Sequence, residues 1–179
     1  DCVSGIEVFG NVLYEISGRG ILHGGGRDNL MENNLMVGCG AALYADSRGL
    51  TRIVHDGSSW DLLQKIIDMH YQQDPWASAY PLLAAIPSDW ATVSDPGALW
   101  LYPEGNVFSR NLGYRNTNWI RESTGGGTGT LDKYAEIQDN IEDADPRFVD
   151  EAGGDLTLAA DSPAYTIPGP RRGASNPTS

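Results

Sequence analysis

The residues of this chain best suited to chemistry are its aromatic rings and a few carboxylates. Four of its five tryptophans, Trp60, Trp76, Trp90 and Trp100, fall in one stretch, with Tyr71, Tyr80 and Tyr102 close by. Indole and phenol rings present a flat apolar face with a polar edge. The C–H face of a pyranose stacks on such a ring, while its rim hydroxyls bond to nearby amides and carboxylates. The stretch supplies both, so it is read as a carbohydrate-binding segment. Trp76, beside Pro75, and Trp90, in Pro87-Ser88-Asp89-Trp90, are the foremost candidates, ahead of Trp60 and Trp100. The other use of each ring is to fasten the stretch to the rest of the molecule.

Glycoside hydrolysis needs two carboxylates about 5 to 10 Å apart. Asp46, in YADSRG, and Glu122 are the pair to test, with Asp56 and Glu104 as other partners. The structural alternative is that Asp46 pairs with Arg48 or caps a turn. His55 and Asp56, in VHDGSS, could join a site, but three scattered histidines make no metal motif. His23 reads as an inward, hydrogen-bonded side chain. Leu22, Tyr44 and Arg121 read as outward positions; they form no calcium cage, and Tyr44 and Arg121 join the carbohydrate-binding set. The acidic tail (Asp143, Asp145, Asp150, Glu151, Asp155) could hold calcium but reads as a solvated closing loop. No cofactor is expected, and calcium is not indicated.

The elements that position these residues emerge when asparagines are lined up. EVFGNVLY (7–14), LMENNLMV (30–37) and VFSRNLGY (107–114) each place an apolar residue three before Asn11, Asn34 or Asn111, and others one and three after. That is the alternation of a strand with one buried face. Asn29 and Asn106 lie five before Asn34 and Asn111, and Asn140 and Asp145 repeat the offset, so Asp145 is expected as the fourth step. GILH (20–23), ALYA (42–45) and WIRE (119–122) follow as further strands with Ile21, Leu43 and Ile120 inward.

The steps are 23, 77 and 34 residues. One coil of three short strands fits the first, stacked coils share a core, and asparagine amides can bond along the stack. The expected fold is all-β: a right-handed parallel β-helix of about three to four coils forming a single domain over 1–179. Residues 47–103 form a long insertion with two short helices, one capped by Ser58 or Ser59 near Trp60, the other starting at Asp74-Pro75. The Gly125-Gly126-Gly127 loop absorbs the excess of the last step, and 140–179 is the closing coil and tail. Cys2 and Cys39 fall at different corners, which argues for two thiols over a bridge.

The run GRGILHGGGRDNLMENNLMVGCGAALYADSRG (18–49) resembles the right-handed β-helix repeats of secreted polysaccharide-active proteins. DADPRFVDEAGGDLTLAADSPAYTIPG (143–169) is similar to the closing coil of the same pectate lyase-like superfamily. Together they cover about a third of the chain. The superfamily includes lyases, glycoside hydrolases and non-catalytic glycan-binding modules, so the resemblance implies a polysaccharide context and a fold, not a reaction.

The net charge of −12 disfavours nucleic-acid and membrane-surface partners, which need a positive face. It also repels polyuronates unless calcium bridges the two, and leaves a neutral or weakly charged glycan free to approach. The sequence is therefore read as a secreted, extracellular, non-catalytic carbohydrate-binding module for a plant cell-wall polysaccharide, xylan-like by preference. A glycoside hydrolase or polysaccharide lyase fragment using Asp46 and a second carboxylate is the alternative. Ile6, Val8 and Val12 would sit at an uncapped end, so a homodimer partner, a short N-terminal cap or an upstream domain is expected to cover it.

Overall fold

The structure is a computed structural model that describes residues 2–46, 48–50, 60–95, 99–123 and 130–169. Short strands follow one another around corners: β1 (Glu7–Phe9), β2 (Val12–Tyr14) and β3 (Arg19–Gly24). The succession recurs as β4 (Leu30–Glu32), β5 (Leu35–Val37) and β6 (Ala41–Asp46), and again as β7 (Asn106–Ser109), β8 (Leu112–Tyr114) and β9 (Ile120–Ser123). With β10 (Ala135–Gln138), corresponding strands pair in parallel as three sheets, β1-β4-β7-β10, β2-β5-β8 and β3-β6-β9. The registers match like with like: Val8, Met31, Phe108 and Ile137 align, as do Ile21, Leu43 and Ile120. Their inward side chains, with Met36, Ala42 and Ala45, make the main core.

The expected fold class is corrected. The chain is not an all-β, single right-handed β-helix but a mixed α/β molecule of several separate sheets, about 32% strand and 19% helix. The reasons are local. The stretch between β6 and β7 holds four α-helices among its described residues, where two were expected: α1 (Leu62–Asp68), α2 (Trp76–Ala79), α3 (Pro81–Ala84) and α4 (Trp90–Val93). Asp61 and Asp89 cap α1 and α4 by accepting from the N–H groups of Gln64 and Thr92 at 3.4 and 2.8 Å. Ser58 and Ser59, the expected caps, lie outside the described residues. These helices bury Leu63, Tyr71, Ile86 and Val93 in a second core of their own.

The end of the chain departs as well. In place of a closing coil, β11 (Phe148–Asp150) and β12 (Asp155–Leu158) form a separate antiparallel pair. Asp150 accepts from the Gly153 N–H at 3.0 Å, and Gly154 takes φ +86°, a left-handed turn that favours glycine. The Gly125-Gly126-Gly127 loop lies outside the described residues.

What holds the parallel sheets in register is a ladder of side-chain amides, buried at Asn34 and Asn111. Asn11 Nδ2 donates to Asn34 Oδ1 (2.9 Å), Asn34 Nδ2 to Asn111 Oδ1 (3.1 Å), and Asn111 Nδ2 to Asn140 Oδ1 (3.0 Å). Each Oδ1 also accepts the backbone N–H of the preceding asparagine, at 2.9–3.2 Å. The second Nδ2 hydrogen reaches back to a carbonyl: Val8 for Asn34, Met31 for Asn111, Phe108 for Asn140. A second ladder joins the Ile6 N–H to Asn29 and Asn29 to Asn106, and at a third corner the Cys39 N–H donates to Asn116 Oδ1.

The fourth step is therefore Asn140, 29 residues after Asn111, and not Asp145. The reason is chemical: the step must donate as well as accept, which an ionised carboxylate cannot do. Asp145 instead accepts from the nearby Arg147 N–H at 2.8 Å. Both cysteines are free. The uncapped end is exposed: β1, β2 and β3 are edge strands, and Val3, Ile6, Phe9, Val12 and Leu22 are 46–54% exposed.

Asn111 is 0% exposed and its amide serves four bonds, whereas Asn11 is exposed and turns one Nδ2 hydrogen onto its own Phe9 carbonyl. Each buried group left unsatisfied costs about 1–3 kcal/mol. Asn111→Ala is expected to lower unfolding free energy by roughly 3–5 kcal/mol, and Asn11→Ala by about 1 kcal/mol or less. Urea titration of both variants checks this, and equal losses would refute the ladder's role.

Candidate functional site

The outer face of the β3-β6-β9 sheet carries a groove of about 400 Å³. Because Ile21, Leu43 and Ile120 turn inward, their neighbours Leu22, Tyr44 and Arg121 turn out, aligned by register one strand apart. Adjacent strands lie about 4.8 Å apart, so these three side chains make a continuous row. The Arg19 guanidinium carbon sits 4.0 Å from the centre of the Tyr44 ring, a cation–π stack. The turns before β3 and β6 close one end, where a side chain at Gly40 would meet the Ser17 carbonyl oxygen at 2.4 Å. A volume of this size is that of a small-ligand cleft. An apolar Leu22, a flat phenol and two guanidiniums can meet a sugar through stacking and hydrogen bonds.

Two of the sequence-derived binding residues, Tyr44 and Arg121, are thus brought together. Arg19 was missed, because strict alternation back from Ile21 assigns it to the inward face. At the first residue of β3 that alternation does not hold, and its side chain is exposed over an outward ring.

The four tryptophans do not form one platform. Trp90 and Trp100 pack against the helical core, and the Trp100 carbonyl accepts from buried Arg27 at 2.8 Å. Trp60 is 49% exposed, with the Lys65 ammonium 5.9 Å from its ring. Trp76 is 38% exposed and stacks on Tyr80, centroids 6.4 Å apart at 22°. Tyr80 in turn covers Gly5, where an added Cβ would overlap its ring at 2.3 Å.

Among the described residues, Asp46 and Glu122 are each held by other partners. Asp46 is held by Arg48 through Nε at 2.8 Å and Nη2 at 2.5 Å. Burial alone would raise its pKa, but the Arg48 hydrogen bonds and charge win and hold it below the usual carboxylate range. Glu122 accepts the N–H groups of Thr130 and Leu131 at 3.0 and 3.1 Å. Asp46 is the register partner of Ser123, and Glu122 that of Ala45, so the two carboxylates face opposite sides of the sheet. Glu104 pairs with Arg27 at 2.9 Å. His55 and Asp56 lie outside the described residues.

Among the described residues, no group of three or more His, Cys, Asp or Glu side chains converges as a metal site. In the acidic tail, Asp143, Asp150 and Asp155 accept backbone N–H groups, and Glu151 accepts from the Tyr14 hydroxyl and Arg115. Among the described residues no helix is long and apolar enough to cross a membrane. Comparison of the chain with family models, curated proteins and solved structures gives no match.

His23 faces inward, in register with Ala45, 7% exposed, with Nε2 3.3 Å from Asn29 Nδ2. Burial lowers its pKa from 6.5 to about 4, against opposing contributions from Asn106 and Asp46. The fold therefore keeps His23 neutral where the unfolded chain takes up a proton. Its contribution is present above pH 6.5 and lost as pH falls towards about 4. The span of 6.5 − 4 corresponds to roughly 3 kcal/mol. Urea midpoints of wild type and His23→Gln should converge as pH drops from 7 to 4, and parallel pH profiles would refute the assignment.

Proposed function

We propose that the protein is a non-catalytic carbohydrate-binding module that holds a polysaccharide along the outer face of the β3-β6-β9 sheet. The observation that carries this reading is the groove in which Arg19, Leu22, Tyr44 and Arg121 line up on adjacent strands. An open row suits an extended chain better than an enclosed pocket would. The locked, opposed positions of Asp46 and Glu122 favour binding over hydrolysis. The sequence resemblance of 18–49 to repeats of secreted polysaccharide-active proteins is the ground for proposing this ligand class and an extracellular location. Net charge favours a neutral or sparsely charged glycan, with xylan the first to test. The exposed Trp76–Tyr80 stack is a second, separate surface with the same stacking chemistry.

Electrophoretic retardation in gels containing xylan, β-glucan or pectin, together with reducing-sugar release from the same glycans, tests the reading. The expected result is retardation by xylan with no release. Tyr44→Ala removes the ring and the support it gives Arg19, and should weaken retardation roughly tenfold or more in affinity, given about 1–2 kcal/mol for such a stack. Sugar release would overturn the non-catalytic assignment. Retardation unchanged by Tyr44→Ala would move the site elsewhere.

A further inference from the structure

The chain has 24 acidic and 12 basic residues, so an unpaired guanidinium is the exception to explain. Arg27, Arg48, Arg115 and Arg147 are each ion-paired to a carboxylate. Of the other described arginines, Arg110 donates to the Gly169 carbonyl, while Arg19 and Arg121 bond to no carboxylate among the described residues; both line the groove, Arg19 over the Tyr44 ring. A twofold excess of carboxylates has left two guanidiniums on one face, on either side of the same ring in the strand order.

We infer that the groove recognises an isolated carboxylate on the glycan: a uronic acid side group on an otherwise neutral backbone. The inference rests on the glycan-binding reading and names the ligand class for that site. A guanidinium stacked on a phenol uses its flat face for the ring and keeps its N–H edge for a carboxylate, which it meets with two parallel bonds. The stack also fixes the Arg19 plane before the ligand arrives, so less conformational freedom is lost on binding. Arg121, exposed and one strand beyond Tyr44, supplies a second fork on the same row. The net charge of −12 limits how many charges the ligand can carry. A polyuronate brings one charge per sugar into a repulsive field. A single carboxylate beside two guanidiniums feels mainly those neighbours, because charges beyond about 8 Å are screened at physiological salt.

The test compares three glycans by retardation: xylan bearing glucuronic acid side groups, the same xylan with its carboxylates reduced to alcohols, and polygalacturonate. The acid-bearing xylan should bind roughly tenfold tighter than its reduced form, as a charge-assisted pair predicts. Arg19→Gln and Arg121→Gln should each shrink that ratio, with thermal transitions showing that both variants are folded. Equal retardation by the acid-bearing and reduced xylans overturns this inference and leaves the glycan-binding reading standing. Retardation by neither overturns both. A ratio unchanged in both variants refutes the assignment to the groove, and tighter binding of polygalacturonate refutes the isolated charge.

Discussion

The side-chain amide at each corner of the strand succession is the constraint on which the rest of this structure depends. A parallel sheet leaves every corner with backbone groups that neither the sheet nor solvent satisfies. An asparagine resolves this because one group accepts and two hydrogens donate, so it can serve the strand before and the strand after together. Asn34 and Asn111 do so at 2% and 0% exposure. Burial strengthens each bond and raises the cost of losing one, so the ladder fixes register more firmly than the short three-residue strands could alone.

Register then fixes everything downstream. Once Asn11, Asn34 and Asn111 align, Ile21, Leu43 and Ile120 must align, and Leu22, Tyr44 and Arg121 must face out together. A charged knot ties the described part of the helical stretch to this frame. Arg27, 3% exposed, donates to the Leu82, Leu99 and Trp100 carbonyls and to Glu104. Burial lowers its pKa and the Glu104 charge opposes that, so the guanidinium stays paired while holding three carbonyls of the stretch. The helices can thus carry a core of their own without disturbing the sheets.

Much of the frame was legible because its signal is periodic. The frames around Asn11, Asn34 and Asn111, the inward set, and the outward Tyr44 and Arg121 all follow from spacing and alternation. What was not legible has no period. The fold class was read as all-β because strand alternation is easy to see, while a four-residue helix such as Trp90–Val93 leaves too short a pattern. Asp145 was preferred to Asn140 on an offset of five, a rule that counts positions and ignores that the step must donate. Arg19 was missed because alternation fails at the first residue of a strand. The tryptophans were grouped by sequence proximity, yet Trp90 and Trp100 serve the helical core and Trp60 and Trp76 are exposed.

The same register argues about chemistry. In-register parallel strands repeat like positions along one face, so they multiply a single kind of contact with ease. Catalysis by two carboxylates needs unlike roles at one point, and here parity works against it: Asp46 and Glu122, one residue apart in register, are sent to opposite faces. Each is then occupied, one by Arg48 and the other by the backbone of residues 130 and 131. A row of contacts at the strand spacing, with a ring at its centre and guanidiniums beside it, is what this frame produces without strain. The glycan proposed for this face, an extended chain that repeats its own units, matches such a row.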